Sequence, residues 1–314
     1  MSTHTSLSSS VNVNKFKGSL FVLAGASSYG LLSPMAKLAY KAGLSASVVS
    51  IGQVLFGTLM VGLILVIQYF TGTENDKYID PTRRQKLLLM GAGTFLGLTT
   101  VFIYKALEFL PASIGIVLLF QFTWMGVVVE VIQSRKRPSN EKLVSLLILL
   151  IGTWFASGAL ETKDAHLNMV GVIWALLSAV SYTMVIYVSG NTVNEAAPFK
   201  RTFYMSVGAL IITLLCFHPG TFISSITNWE MIKWGLLLGF VGAVLAPILL
   251  NIGLPAVGVA LGTIISAAEL PVVVIVSVFI LSEHVSLLQW IGVGSILLAI
   301  ALPYMAISKH HRMK

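Results

Sequence analysis

Glu269 stands inside the apolar run 256–280. At 1.5 Å per residue it lies about 20 Å along a helix from the start of that run, near the middle of a bilayer. Ionisable groups at that depth are costly and mark pathways for ions and substrates. A carboxyl that alternately binds a proton and a cationic substrate would couple the movement of the two. The other reading is structural: a protonated or hydrogen-bonded Glu that locks its helix beside Pro271. Tyr29 and Tyr182 occupy equivalent points about twelve residues into two further apolar runs. Together they offer two aromatic walls for a substrate. Trp124 adds a donor-bearing ring and Gln121 an amide. Apolar pockets with a few placed polar groups suit metabolites. For each aromatic taken singly, packing between helices with the hydroxyl on a backbone carbonyl is the competing reading. Tyr104 and Thr99–Thr100 are further candidates, although hydroxyls in apolar helices commonly bond their own helix or a neighbour.

Covalent chemistry has no such support. The six histidines all fall in tails or in gaps between apolar runs, with no His-x-x-x-His or His-x-x-Glu-His spacing. No Gly-Lys-Ser phosphate loop is present. The sequence therefore predicts no catalytic residues, no metal, no cofactor and no enzyme activity. The lone Cys216 lies in an apolar run and reads as inert packing.

The elements that must position these residues follow from composition. The 314-residue chain is 56% hydrophobic and 10% charged, whereas soluble domains carry about 25% charged residues. A net charge of +8 would suit nucleic acid, but the charges sit in short gaps between apolar runs, which argues for a bilayer instead. A hydrocarbon core of about 30 Å takes roughly 20 apolar residues as a helix. Ten such stretches occur, at 18–40, 46–70, 86–107, 111–133, 141–160, 168–190, 200–217, 231–253, 256–280 and 286–308. None alternates with period two, so strands are not expected. Residues 1–17 are Ser/Thr/Asn-rich and read as a disordered tail without a signal-peptide core, and 309–314 as a basic tail.

With the N-terminus in the cytoplasm, ten alternating crossings place 15 Lys and Arg on the cytoplasmic side and five on the other. That bias obeys the positive-inside rule. It predicts a multi-pass plasma-membrane protein with both termini cytoplasmic. Lys37 and Lys41 read as snorkelling to the outer interface, Lys105 and Glu108 as a local pair, Glu130 as an interfacial partner of Arg135, and Asn251 as a helix cap.

The stretches also repeat. Gly18-Ser19-Leu20 to Tyr29 matches Gly171-Val172-Ile173 to Tyr182 at its Gly, Leu, Ala, Ser and Tyr positions, and Leu110-Pro111-Ala112 returns as Leu254-Pro255-Ala256. Five crossings per copy turn the second copy over. The expectation is an all-α integral membrane protein, ten transmembrane helices arranged as two inverted five-helix repeats, 18–160 and 161–308. Such inverted repeats place a site near the midplane and exchange inward-open and outward-open states around it.

Tyr104-Lys105-Ala106-Leu107 before Leu110-Pro111-Ala112-Ser113, Ala268-Glu269-Leu270-Pro271, and Leu281-Ser282-Glu283-His284 before Gln289-Trp290-Ile291-Gly292 carry a resemblance. In this order and spacing they are similar to the EamA family of the drug/metabolite transporter superfamily. The match covers about 18–308. The first half departs from the pattern: Phe122-Thr123-Trp124 stands where the family often has Pro, and Arg135-Lys136-Arg137 where the second half has Glu283. The resemblance implies export or exchange of small metabolites such as amino acids, or of amphiphilic drugs. Its partners would be a small-molecule substrate, the lipid bilayer and a coupled proton, with no nucleic acid. An uptake carrier of the same architecture is the alternative, and an intramembrane enzyme or receptor a remote one. The substrate, the direction of transport and the oligomeric state are not fixed by the sequence.

Overall fold

The computed structural model describes residues 3–72, 78–107, 109–110, 112–156, 168–217, 220, 228–281 and 285–312. Side chains are described between 15 and 302, apart from those at 104, 107, 112–114, 116 and 281. Among the described residues every regular element is helical. In chain order they are α1 (Thr3–Lys41), α2 (Ala46–Thr71), α3 (Arg83–Leu107), α4 (Ala112–Leu119), α5 (Phe122–Ser134), α6 (Asn140–Ala156), α7 (Met169–Asn191) and α8 (Pro198–Cys216). There follow α9 (Trp229–Leu238), a π-helical segment (Gly239–Leu245), α10 (Ala246–Val257), α11 (Val259–Ser266), α12 (Glu269–Leu281) and α13 (Leu287–Arg312).

Eight helices among the described residues are long and apolar enough to cross a membrane. The expectation of ten is met by that measure for eight stretches. The other two are shorter: α6 has 17 residues, and the apolar part of α13 runs Leu287–Leu302. Local chemistry sets the helix ends. Ser45, Asn168 and Asn228 accept first-turn N–H groups of α2, α7 and α9, the usual work of short polar N-caps. Pro198 opens α8, where its missing N–H leaves no helical bond unmade.

Packing follows a two-fold pattern. α1 lies on α10, and α7 lies on α3. α2 lies on α9 and the π segment, and α3 lies on α8. α1 also touches α11 and α12, just as α7 touches α4 and α5. Two contacts map onto themselves, α2 with α8 and α6 with α13, and α5 packs on α11, joining the fourth stretch to the ninth. Exchanging the first five stretches for the last five leaves this set of contacts unchanged, as a two-fold relation between halves requires. The α3–α8 contact needs paired glycines. A Cβ on Gly93 would fall on the Met205 carbonyl, and one on Gly208 on the Met90 carbonyl. The matching contact of α2 uses Gly57 against Ala243 and Gly239, whose own Cβ would come 2.8 Å from the Gly57 nitrogen.

Two stretches are broken at matching places. A shift of 147 residues carries α4 (8 residues) onto α11 (8 residues) and α5 (13 residues) onto α12 (13 residues). The hydrogen bonds of the two breaks coincide under the same shift. Gln121 N–H to Leu118 O becomes Ala268 N–H to Ile265 O, and Thr123 N–H to Phe120 O becomes Leu270 N–H to Ala267 O. These are three-residue spans, one tight turn set between two α-helical halves. One element breaks the symmetry. The π segment puts the Ala246 N–H on Val241 O, five residues back. Pro247 follows directly, and in α register its ring would press on the Ala243 carbonyl four residues earlier. The wider turn takes up that conflict.

Candidate functional site

Glu269 is the first residue of α12, so it sits at a helix start and not in the middle of a continuous helix. Pro271 explains part of this. It has no N–H to return to the Ala267 carbonyl, and the Leu270 N–H takes that carbonyl at 3.2 Å. Pro is tolerated in a first turn because no helical bond is lost there. The start of α12 also offers Glu269 the positive end of a helix dipole. α1 passes directly over it: a Cβ on Gly30 would lie 2.6 Å from the Glu269 carbonyl oxygen and 2.8 Å from Val272 Cβ. Glu269 is partly buried.

Tyr29 precedes Gly30 and is buried, as is Tyr182 on α7. Their rings touch edge to face with centroids 6.2 Å apart. They meet each other and leave no gap between them. Phe122 closes on Tyr182 at 4.8 Å, and Phe120 on Phe122 at 5.4 Å. Four aromatic rings thus run from α1 through α7 to the break between α4 and α5. The Tyr182 hydroxyl, with those of Ser178 one turn earlier and Ser266 three residues before Glu269, is buried without a hydrogen-bond partner among the described residues. An unmet buried hydroxyl costs roughly 1–3 kcal/mol.

Gln121 and Trp124 stand apart from this cluster. The Trp124 indole N–H donates to Gln121 Oε1 at 2.9 Å, and Gln121 Nε2 donates to Val117 O at 3.0 Å. Trp124 is exposed. Thr99 and Thr100 bond their own helix, to the carbonyls of Phe95 and Leu96. Tyr104 lies in α3 with its side chain outside the described residues.

A cavity adjoins Tyr29, between Leu96 of α3, Ser189 of α7, Thr202 and Ser206 of α8, and Pro247 of α10. The space for the centre of a water molecule is about 10 Å³, enough for roughly one water. That space is too small for a metabolite.

The family profile for EamA-like transporters matches residues 16–158 and again 169–305, one copy on each side of the two-fold pattern. The chain belongs to the EamA-like transporter family. It is a membrane transporter built from two repeats. YcbK, an uncharacterized transporter of Bacillus subtilis strain 168, is 23% identical over 90% of this chain and 91% of its own. An uncharacterized transporter of Synechocystis sp. PCC 6803, sll1319, is 23% identical over 74% of this chain and 71% of its own. One solved crystal structure shares the fold, with a TM-score of 0.70 at 15% identity over 92% of this chain and 97% of that one.

Other features of this EamA transporter were hidden in the sequence. Arg201 reads there as one more basic residue flanking an apolar run, yet it is 1% exposed. Its guanidinium donates to the Asn251 carbonyl at 2.8 Å and to the Ser189 carbonyl. Pro255 follows Asn251 by four and has no N–H for that carbonyl, while Ser189 lies in the last turn of α7. Arg201 therefore meets one carbonyl freed by a proline within α10 and one at the C-terminal end of α7, whose partial negative charge favours a cation. Asn251 is no cap: its Nδ2 donates to Thr202 Oγ1 at 3.0 Å. Glu130 pairs with Lys142, not Arg135, and also accepts the Ala260 N–H. Cys216 is exposed, not packed. Glu108 lies outside the described residues, and Lys105 sits 5.5 Å from the centre of the Trp174 ring. Phe120 and Phe122 gave no sequence signal, since Phe is ordinary in apolar runs.

Proposed function

We propose that this protein is a secondary-active exporter of small metabolites, such as amino acids or amphiphilic drugs, working by alternating access. The observation that carries this reading is the pair of matched helix breaks, with Glu269 and the Tyr29–Tyr182–Phe122 cluster gathered between them. Discontinuous helices at a repeat interface are how many carriers present polar groups at the midplane. The three unpartnered hydroxyls support a polar guest there. Glu269 carries the coupled proton and the cationic part of the substrate in turn, and Tyr29, Tyr182 and Phe122 enclose its apolar part. Gln121 and Trp124 join the site when the span they occupy moves, and Tyr104 of α3 is included as a further substrate-binding residue. The small cavity beside Tyr29 is the seed of one access route.

The same proposal includes ten crossings, inverted repeats at 18–160 and 161–308, both termini in the cytoplasm, and residence in the plasma membrane. Reconstitution into liposomes tests it, with uptake measured across an amino-acid, nucleoside and cationic-drug panel under imposed proton gradients. Gradient-dependent accumulation of at least one class is the expected result; none across the panel defeats the reading. The topology has its own measurement. Membrane-impermeant thiol labels should reach Cys placed at Lys163 or Ser282 from outside, and at Asn75 or Ser139 only from inside. Labelling of Asn75→Cys in intact cells would overturn the ten crossings.

A further inference from the structure

Glu130 lies near the end of α5 in the first repeat, and α11 belongs to the second. Glu130 Oε2 accepts the Ala260 N–H at 2.7 Å. Its other oxygen takes the ammonium of Lys142, which lies in the first turn of α6. Ala260 is the second residue of α11, so the carboxylate meets an N–H that the helix itself leaves unbonded. It also faces the positive end of the helix dipole. The start of α11 has no cap of its own. Gly258 occupies the cap position with φ of +85° and no side chain to offer. The cap comes across the repeat boundary.

All eight residues of α11 are buried, and its far end is the break that carries Glu269. Holding its start therefore fixes one wall of the site. The opposite end of the molecule lacks this charge: the 147-residue shift that superposes the breaks carries Glu130 onto Ser277. Two further contacts join the repeats, between the loop before α3 and the start of α8 with the loop before it. Lys200 pairs with Asp80, and the Ile79 N–H donates to the Glu195 carbonyl.

We infer that Glu130 is a positioning residue. It clasps α11 across the repeats and keeps this end of the pathway shut, and its release opens the site to that face. This rests on the alternating-access reading above.

The test is labelling without substrate. Cys216→Ser supplies a background, and Ser266→Cys a reporter at the closed end of α11. Ser266 is 0% exposed and its hydroxyl has no partner among the described residues, so the exchange is mild. An impermeant maleimide is offered from each face of oriented vesicles. The face that matters is the one from which Cys at Ser139 labels. Glu130→Ala is expected to speed reporter labelling from that face roughly tenfold or more, the scale of a lost charge-assisted bond. Labelling from the other face should stay as it was. Glu130→Gln keeps an acceptor for Ala260 and loses the ion pair, so its rise should be smaller. Lys142→Ala should match it.

Unchanged labelling in Glu130→Ala, or an equal rise from both faces, would overturn the clasp. If Glu130→Ala does not fold, Glu130→Gln and Lys142→Ala decide: a one-sided rise in both supports the clasp, and no rise in either defeats it. Because no substrate is present, failed uptake in liposomes would remove the carrier reading and leave these results standing. Intact uptake with unchanged labelling would remove the clasp alone.

Discussion

At Phe120–Gln121 and at Ala267–Ala268 the chain makes the same turn, with the same backbone bonds, out of different side chains. The second break is made by Pro271, which withholds an N–H. The first has Trp124 at the matching position, and there side chains take the carbonyls. Thr123 Oγ1 donates to Phe120 O at 2.9 Å and Gln121 Nε2 to Val117 O. Thr183 from α7 reaches Phe122 O, and Thr263 from α11 reaches Thr123 O at 3.3 Å. Competing hydroxyls are a known way to draw carbonyls off the helical ladder. The second difference is chemical. The first residue after the turn is Phe122 in one repeat and Glu269 in the other. The backbone geometry is common to both repeats, while the carboxyl belongs to one, so the bend does not depend on the carboxyl.

The largest expected effect separates them. Glu269→Gln keeps shape and a hydrogen bond but cannot change charge. Proton-driven accumulation in liposomes should fall to background with the protein still folded and inserted, while exchange of substrate down its own gradient persists. Phe122→Leu, at the matching position, should keep accumulation and raise the half-saturating substrate concentration by roughly three- to tenfold, since it removes one ring of an aromatic wall. Wild-type pH dependence in Glu269→Gln would return that residue to a structural role.

A stability comparison comes next. Ser45 caps the second helix of its repeat with its own side chain, whereas Arg201 clamps α7 and α10 to α8. Arg201→Ala should cost about 3 kcal/mol, because two buried carbonyls lose a charged donor. Ser45→Ala should cost about 1 kcal/mol. Unfolding in mild detergent measures both, and equal losses would show that Arg201 is not the clamp.

The two ways of making the turn predict opposite signs. Thr123→Val should destabilise by about 1 kcal/mol. Pro271→Ala restores an N–H, so stability should hold or rise while turnover falls as the bend relaxes. A loss of stability in Pro271→Ala would contradict the account of its break. The smallest effect tests equivalence itself. Position 124 is third in α5, within the first turn, so Trp124→Pro should fold within about 1 kcal/mol of the parent. Failure to fold would show that the breaks are not interchangeable.

Much of this was legible in the chain. The apolar runs and the doubled Gly…Tyr segment announced two copies, and Glu269 stood out because a carboxyl in such a run is rare. The Leu-Pro-Ala match falls at unlike places, since Leu110 precedes α4 whereas Leu254-Pro255-Ala256 lies inside α10. Tyr29 and Tyr182 were found by repeat position, and they do meet. The breaks were not legible. Pro271 hinted at one, but the Phe122-Thr123-Trp124 segment looks like uninterrupted helix. Its bend depends on hydroxyls that arrive from α7 and α11. Gln121 and Trp124 share a run with Phe122, yet they bond each other because the turn aims them elsewhere.

Hydrophobic length, charge placement and repetition determined a membrane protein of two helical repeats, since a bilayer accepts only backbones that satisfy their own hydrogen bonds. Only the tertiary structure decided which polar groups meet. Arg201 finds the carbonyl that Pro255, 54 positions later in the chain, leaves free. Glu130 finds one first-turn N–H, that of Ala260, on a half-helix in the other repeat. Both partnerships join residues far apart in sequence, and a local pattern of apolar and polar residues holds no record of which helix ends will be brought together.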